Sequence, residues 1–230
     1  MSSIQTFCEY FFTYGGYKDY LYGLSNTALI AVFGLVIGFI IGCLIATVKI
    51  FPTKNPLIVV LEKLADGYVA LFRGTPIVVQ LLLLHFGLFP LLGIDLDAVV
   101  EAIIIFGLNS GAYMSEILRG GINAVDAGQM EAGRSLGFGF GETMLRIILP
   151  QAIKNILPTL GNEFIALLKE TSVVSFIAVI DVTRSLQSIA DSTYEYFVPY
   201  IVLAITYLVI VLVITYFIRI MERRLSKNER

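Results

Sequence analysis

The chain has 230 residues, 57% of them hydrophobic and only 15% charged, with a mean hydropathy of +0.83. Soluble domains carry roughly 25% charged residues, so this composition excludes an ordinary water-soluble globule, while the net charge of -2 separates no function class. Cys8 and Cys43 are too few and too far apart for a disulfide framework or a CxxC site, and the lone His85 excludes any centre built on several imidazoles, HExxH included.

The N-terminus carries no basic region followed by a small-residue cleavage site and does not read as a secretory signal. Its aromatic stretch, residues 7–22 within a segment 1–24, is expected to lie in the membrane interface ahead of the first span. Residues 27–48 are uncharged and long enough to cross, since a span needs about 20 apolar residues. Gly34, Gly38 and Gly42 strip one face of that helix at four-residue spacing, which predicts close approach by another helix, of the same subunit in preference to a subunit interface. Residues 56–71 hold Glu62, Lys63 and Asp66, which do not suit lipid, whereas residues 76–92 are apolar. The pair is read as one long helix bent near Gly74 and Pro76. His85, in the apolar run 81–89, is read as a helix-packing residue. Residues 98–118 form the third span, 157–168 begin the fourth and 199–220 form the last. Residues 172–180 are read as a segment that returns toward the outer face without crossing, with Lys169, Glu170, Thr171 and Ser172 forming the break; polar backbone at that depth needs protein or a cavity around it.

Basic residues set the direction. Lys49, Lys54 and Lys63 follow the first span, Arg119, Arg134, Arg146 and Lys154 lie between the third and fourth, and Arg219, Arg223, Arg224, Lys227 and Arg230 close the chain. With about five crossings all of them fall on one side, which the positive-inside rule makes the cytoplasm. The N-terminus is then outside and the tail, residues 221–230, inside. The outer side receives the acidic stretch 181–195, with only Lys18 and Arg184 basic there.

The loop 122–150 between the third and fourth spans is the most informative segment. Asp126 is placed to cap a helix over 127–136, with Gln129 answering in a capping box. Gly137 sits where a left-handed C-terminal residue belongs. Gly137, Gly139 and Gly141 alternate with Phe138 and Phe140, and a second helix is expected from 142 to 149, ahead of Pro150. The loop is too small for a core of its own; by pattern alone its short exposed helix reads either as an amphipathic connector or as a helix that fits a socket in another protein.

Glu131-Ala132-Gly133, three residues, Gly137, nine residues and Ile147-Ile148-Leu149-Pro150 resemble the EAA loop of ABC importer permeases at every spacing. Gly133 in place of the second alanine is the one departure; it weakens the helix slightly and keeps the position small. The segments Phe72-Arg73-Gly74-Thr75-Pro76 with Gln80, residues 109–121, Gly128-Gln129, Asn162-Glu163-Phe164 and Lys169-Glu170-Thr171-Ser172 resemble signatures of the polar amino acid permeases in that family. Glu170 and Val173 replace the usual Asp and Leu. The resemblance covers roughly residues 20 to 222.

It implies an all-α membrane protein of the type I ABC importer permease fold, a single transmembrane domain over 1–230 in a bacterial inner membrane. It further implies a loop that docks in an ATPase subunit through Glu131, with Ala132, Gly133 and Gly137 shaping the helix and Met130, Leu136 and Phe138 giving apolar contact. ATP and Mg would sit on that partner, since no GxxxxGK[ST] occurs in this chain. A second permease subunit, identical or paralogous, and an extracytoplasmic amino-acid-binding protein complete the implied assembly, with no role for nucleic acid.

Polar residues within spans are functional candidates because burying them in lipid is costly. Asn109, Asn162, Glu163, Thr171 and Ser172 are therefore candidates for a substrate pathway. Asn162, Glu163, Ala166, Lys169 and Glu170 recur at helical spacing along one stripe of the fourth span. Amides and helix-break backbone suit an ammonium and a carboxylate, and Glu163 suits an amino or guanidinium group. Glu116, one turn from Arg119, reads as a structural ion pair, Arg73 as structural, and Lys169 as neutralised by Glu170 or a backbone carbonyl. A permease for cystine or an opine is the nearest alternative. A secondary transporter would need an internal repeat, and no second copy of FRGTP or of the loop occurs.

Overall fold

The computed structural model describes residues 2–51 and 55–227, the side chains of 225–227 excepted. Lys54 and Arg230, two of the basic residues used for orientation, lie outside them, as does the end of the tail. Among the described residues the chain is helical throughout, with no strand.

A short helix α1, Ser3–Cys8, ends in a wide turn over Glu9–Thr13. Gly15 then adopts φ +85°, a left-handed conformation that glycine takes at little cost, and redirects the chain. Helix α2 begins at Gly16 and runs unbroken to Ile50. Residues 16–22 are thus continuous with the first membrane helix, as its N-terminal turns. At 1.5 Å per residue α2 is about 52 Å long, well beyond the roughly 30 Å hydrocarbon core.

The glycine stripe packs within the chain. Gly34 faces Phe106, Gly38 faces Ser110 and Gly42 faces Met114, while Gly107 and Gly111 of the facing helix receive Ile37 and Ile41. A methyl group on Gly38 would stand 2.6 Å from the Ser110 Cβ. The facing helix is α5, Ala98–Asn123, and because contacts advance together along both chains, α2 and α5 run parallel.

Between them, α3 (Pro56–Gly74) and α4 (Ile77–Leu83) meet at an angle of 105°. The bend falls where Gly74 and Pro76 predict it but is a corner, not a gentle kink. The helix continues from α4 through a wide turn, Leu84–Leu88, into Phe89–Leu91. A second wide turn, Met144–Ile148, precedes Pro150 in the same way that Leu84–Leu88 precedes Pro90. A proline ring clashes with the carbonyl four residues back, here Phe86 and Arg146, and each of those residues lies inside a wide turn.

The loop helix α6 (Ala127–Ser135) leads into a helical run that passes through Pro150 into α7, Leu149–Glu170. The separate second loop helix expected over 142–149 is therefore the first part of α7's own rod. Gly121 of α5 meets Ile156 near one end of α7 and Gly34 of α2 meets Leu167 near the other, so α7 runs antiparallel to both. At Thr171 the coil tightens to a 3₁₀ helix over Thr171–Ile177, and Ala178, at φ +62°, ends it. The amide of Asn26 donates to Ile180 O at 2.9 Å, which places residue 180 level with the N-terminal half of α2. Helix α8 (Val182–Thr193) follows, capped by Asp181, and α9 (Phe197–Lys227) runs back toward the loop end, its Ile218 packing on Gly161 of α7.

Helices α2, α5 and α9 are each long and apolar enough to cross a membrane, and the bent α3–α4 pair makes a fourth candidate. The 22 residues of α7 include Pro158, Asn162, Glu163 and Lys169, and it does not qualify by composition; with the 3₁₀ segment it still carries the chain from one end of the bundle to the other. The core is shared by Ile30, Leu81, Ile105, Phe106, Leu167 and Val174, contributed by α2, α4, α5, α7 and the 3₁₀ turn.

Candidate functional site

Three polar regions stand out of this apolar bundle. The first is the loop. Asp126 caps α6 by accepting from the Gly128 amide at 2.7 Å. The expected capping box does not close: Gln129 accepts from Gln151 Nε2 at 3.4 Å instead, tying α6 to α7. At the other end Gly137 takes φ +90°, its amide donates to Arg134 O at 3.0 Å and the Phe138 amide donates to Gly133 O at 3.2 Å. Those two bonds are the Schellman ending of a helix, and they turn the chain sharply after Leu136. Gly133 is buried against Thr143 and Ile147, the face by which α6 sits on the next helix. Glu131 and Ala132 point outward, Met130 is half-buried, and Leu136 is 76% exposed. Glu131 makes no ion pair among the described residues. A free carboxylate and an uncovered leucine thus share one short rigid helix. Phe140 packs edge-on against Phe51 at 5.3 Å, joining the loop to the end of α2.

The second region is an ion cluster near the loop end. Glu116 accepts from Arg119 Nη2 at 2.6 Å, as the sequence predicts, and also has Lys49 at 3.5 Å and Arg73 at 4.0 Å. Lys49 reaches Asp66 at 2.7 Å, and the Arg73 guanidinium lies 5.4 Å over the Tyr113 ring. One carboxylate therefore joins α2, α3 and α5. Cavities of about 440 and 450 Å³ open on either side of the Arg73–Glu116 contact, the first bounded by Tyr113, Asn155 and Thr159 and the second by Lys49, Asp66 and Arg119.

The third region lies at mid-depth. Glu163 is half-buried on α7 and accepts a long hydrogen bond from the Ser110 hydroxyl at 3.5 Å. Asn162 beside it is exposed. Asn109, only 3% exposed, donates to Gln80 Oε1 at 2.9 Å and to Phe72 O at 3.4 Å. Thr171 is fully buried and donates to Leu168 O at 2.7 Å, closing the last turn of α7; Ser172 is half-buried and its carbonyl accepts from the Ser175 hydroxyl. Glu163, Asn162 and Ser172 thus keep some exposed surface, whereas Asn109 and Thr171 are buried and spend their donors on the frame. Lys169 and Glu170 stand exposed at the break, and among the described residues Lys169 makes no ion pair.

Among the pairs that sequence reasoning missed, His85 Nδ1 bonds the Glu101 carboxylate, which is buried in the first turn of α5. The available signal was an acidic residue inside a span with the lone histidine sixteen positions before it.

Residues 34–227 match the family of binding-protein-dependent transport system inner membrane components. The chain belongs to that family. The permease is 43% identical over 209 residues to the arginine transport system permease protein ArtQ of Bacillus subtilis (strain 168), covering 91% of this chain and 93% of ArtQ. It is 42% identical over 203 residues to a putative glutamine transport system permease protein, GlnP of Rickettsia bellii, covering 88% and 91%. Its fold matches the crystal structure of an amino acid ABC transporter with histidines at a TM-score of 0.83 and 40% identity, over 90% of the permease and 94% of that chain. The type I permease fold expected from the EAA-like loop is the one the chain adopts, and its family supplies translocation subunits whose ATPase is a separate chain.

Proposed function

We propose that the permease forms the membrane path of an ATP-driven importer of polar amino acids in a bacterial inner membrane, with its loop end in the cytoplasm. The observation that carries this reading is mechanical: the exposed Glu131–Leu136 helix packs through Gly133 on the rod that continues into α7, and α7 carries Asn162 and Glu163. Glu131 pairs with a basic group of the ATPase subunit, Met130 and Leu136 fill an apolar socket beside it, and Ala132, Gly133 and Gly137 set the shape of the helix. ATP and Mg bound by that partner drive its closure, α7 tilts with the loop, and the path alternates between the two sides.

Two permease subunits, identical or paralogous, face two ATPases, and an extracytoplasmic binding protein delivers the solute at the α8 end. Asn162, Glu163 and Ser172 line the path, with Asn109 and Thr171 holding their frame. Glu163 and its neighbouring amides suit a cationic or amide side chain, in keeping with relatives whose names include arginine and glutamine.

The test is uptake of labelled Arg, Lys, His, Gln and Glu in competition, by proteoliposomes holding the permease, its ATPase and its binding protein. Uptake of one class, abolished by Glu131→Ala while the subunits still co-purify in the membrane, is expected. ATP hydrolysis stimulated by the binding protein with no uptake of any amino acid would overturn the substrate and leave the coupling loop standing.

A further inference from the structure

The side chain of Gln80 bridges the 105° corner between α3 and α4. Gln80, in the first turn of α4, is 7% exposed. Its Nε2 donates to Phe72 O at 2.9 Å, Thr75 O at 3.0 Å and Thr75 Oγ1 at 2.8 Å, across the break. The two carbonyls among these are left unpaired by the end of α3, and inside a membrane such groups must be satisfied from within the protein. The Oε1 of the same amide accepts from Asn109 of α5, which also donates to Phe72 O. One amide pair therefore joins three helices.

Little else holds α3. Only Val69 of its residues is buried, and its other ties to the bundle lie in the same C-terminal part: Tyr68 donates to Leu108 O, Asp66 meets Lys49, and Arg73 meets Glu116. Leu57, Val60, Leu61 and Leu64, in its first half, are exposed. The helix is an arm fixed near one end, and Gln80 closes the joint. The residue after Asn109 is Ser110, whose hydroxyl reaches Glu163. Adjacent residues on one buried stretch of α5 thus hold the corner and touch the proposed path.

We propose that Gln80 and Asn109 are positioning residues for translocation: their amide pair locks the α3–α4 corner and, through Ser110, sets the stance of Glu163 in the path. Neither needs to contact the solute. The lock is made of neutral amides, so it can break and reform without moving a charge through the bilayer, unlike the ion cluster at Glu116. The link to Glu163 rests on the path proposed above, whereas the lock itself does not.

The experiment separates the two. In the reconstituted complex with Cys8 and Cys43 replaced by Ser, spin labels at the exposed positions 64 and 86, on the two arms, report the corner as a distance distribution. A single narrow distribution is expected for the parent. Gln80→Leu and Asn109→Leu should each broaden it, and the double variant should be no broader than the worse single one. Uptake should fall about tenfold, the loss of one buried hydrogen-bonded amide, through the maximal rate and not the half-saturating concentration, with more ATP used per solute moved. Gln80→Leu with an unchanged narrow distribution overturns the lock. A raised half-saturating concentration at unchanged maximal rate makes Asn109 a ligand and overturns the positioning role. Glu163→Gln tests the path alone: it should alter uptake and leave the label distance unchanged, and if uptake is unaltered the path reading fails while the distance data still judge the lock.

Discussion

Gly133 carries a prediction whose sign depends on its neighbour. In a helix interior, Gly→Ala gains about 0.8–1 kcal/mol from backbone entropy alone. Here a methyl group at 133 would stand 2.5 Å from Thr143 Cγ2, 2.9 Å from Thr143 Oγ1 and 3.2 Å from Ile147 Cδ1. Carbon contacts settle at about 3.5–4.0 Å, so the overlap with Thr143 is on the order of 1 Å, and overpacking of that size costs about 1–3 kcal/mol. Gly133→Ala alone is therefore expected to loosen α6 by about 0–2 kcal/mol, the difference between those two terms. With Thr143→Ala in place only the Ile147 contact remains, and the same substitution should tighten α6 by about 0.5–1 kcal/mol. The double-mutant cycle cancels what Thr143→Ala loses through its own hydrogen bond to Gly139 O. Hydrogen exchange at the amides of 129–135 in nanodisc-held complex reads the local opening free energy directly. Gly133→Ala slowing exchange equally in both backgrounds would refute the packing of α6 on the rod, and with it the mechanical link from loop to path.

Gly38→Ala should destabilise the α2–α5 seam by about 1–3 kcal/mol, read as a fall in the detergent unfolding midpoint, whereas Gly67→Ala, with nothing within 4 Å of its added methyl group, should not lower it. Gly137→Ala places a side chain at φ +90° and should cost about 1–2 kcal/mol; fraying of 133–138 in exchange, with partner-stimulated ATP hydrolysis reduced, is the expected result. Glu101→Gln keeps the shape but removes the carboxylate beside His85 and should cost about 1–3 kcal/mol, appearing as a lower unfolding midpoint that His85→Gln, made in the same background, does not lower further.

What the sequence made legible is what local chemistry decides alone. Gly34, Gly38 and Gly42 announce a bare face, Gly74 with Pro76 a break, and Gly137 a left-handed turn, because each residue type has few other uses in those places. Distances between segments are decided elsewhere. Nothing local says that Gln129 will answer Gln151 rather than Asp126, or that Pro150 will be carried inside a helix by a wide turn. Asn109 and Glu163 look alike in sequence as polar residues inside spans. They differ because Asn109 faces the corner near Gly74 and Pro76, where Gln80 Oε1 and Phe72 O absorb its donor, while Glu163 faces a hydroxyl at 3.5 Å. A polar group in a membrane bundle has a partner by necessity, so the informative quantity is how completely that partner occupies it. By that measure Glu163, with one long bond from a hydroxyl, keeps capacity that Asn109 has spent, and Gln80, which no reading of composition or periodicity singles out as more than part of a motif, is spent on holding the corner.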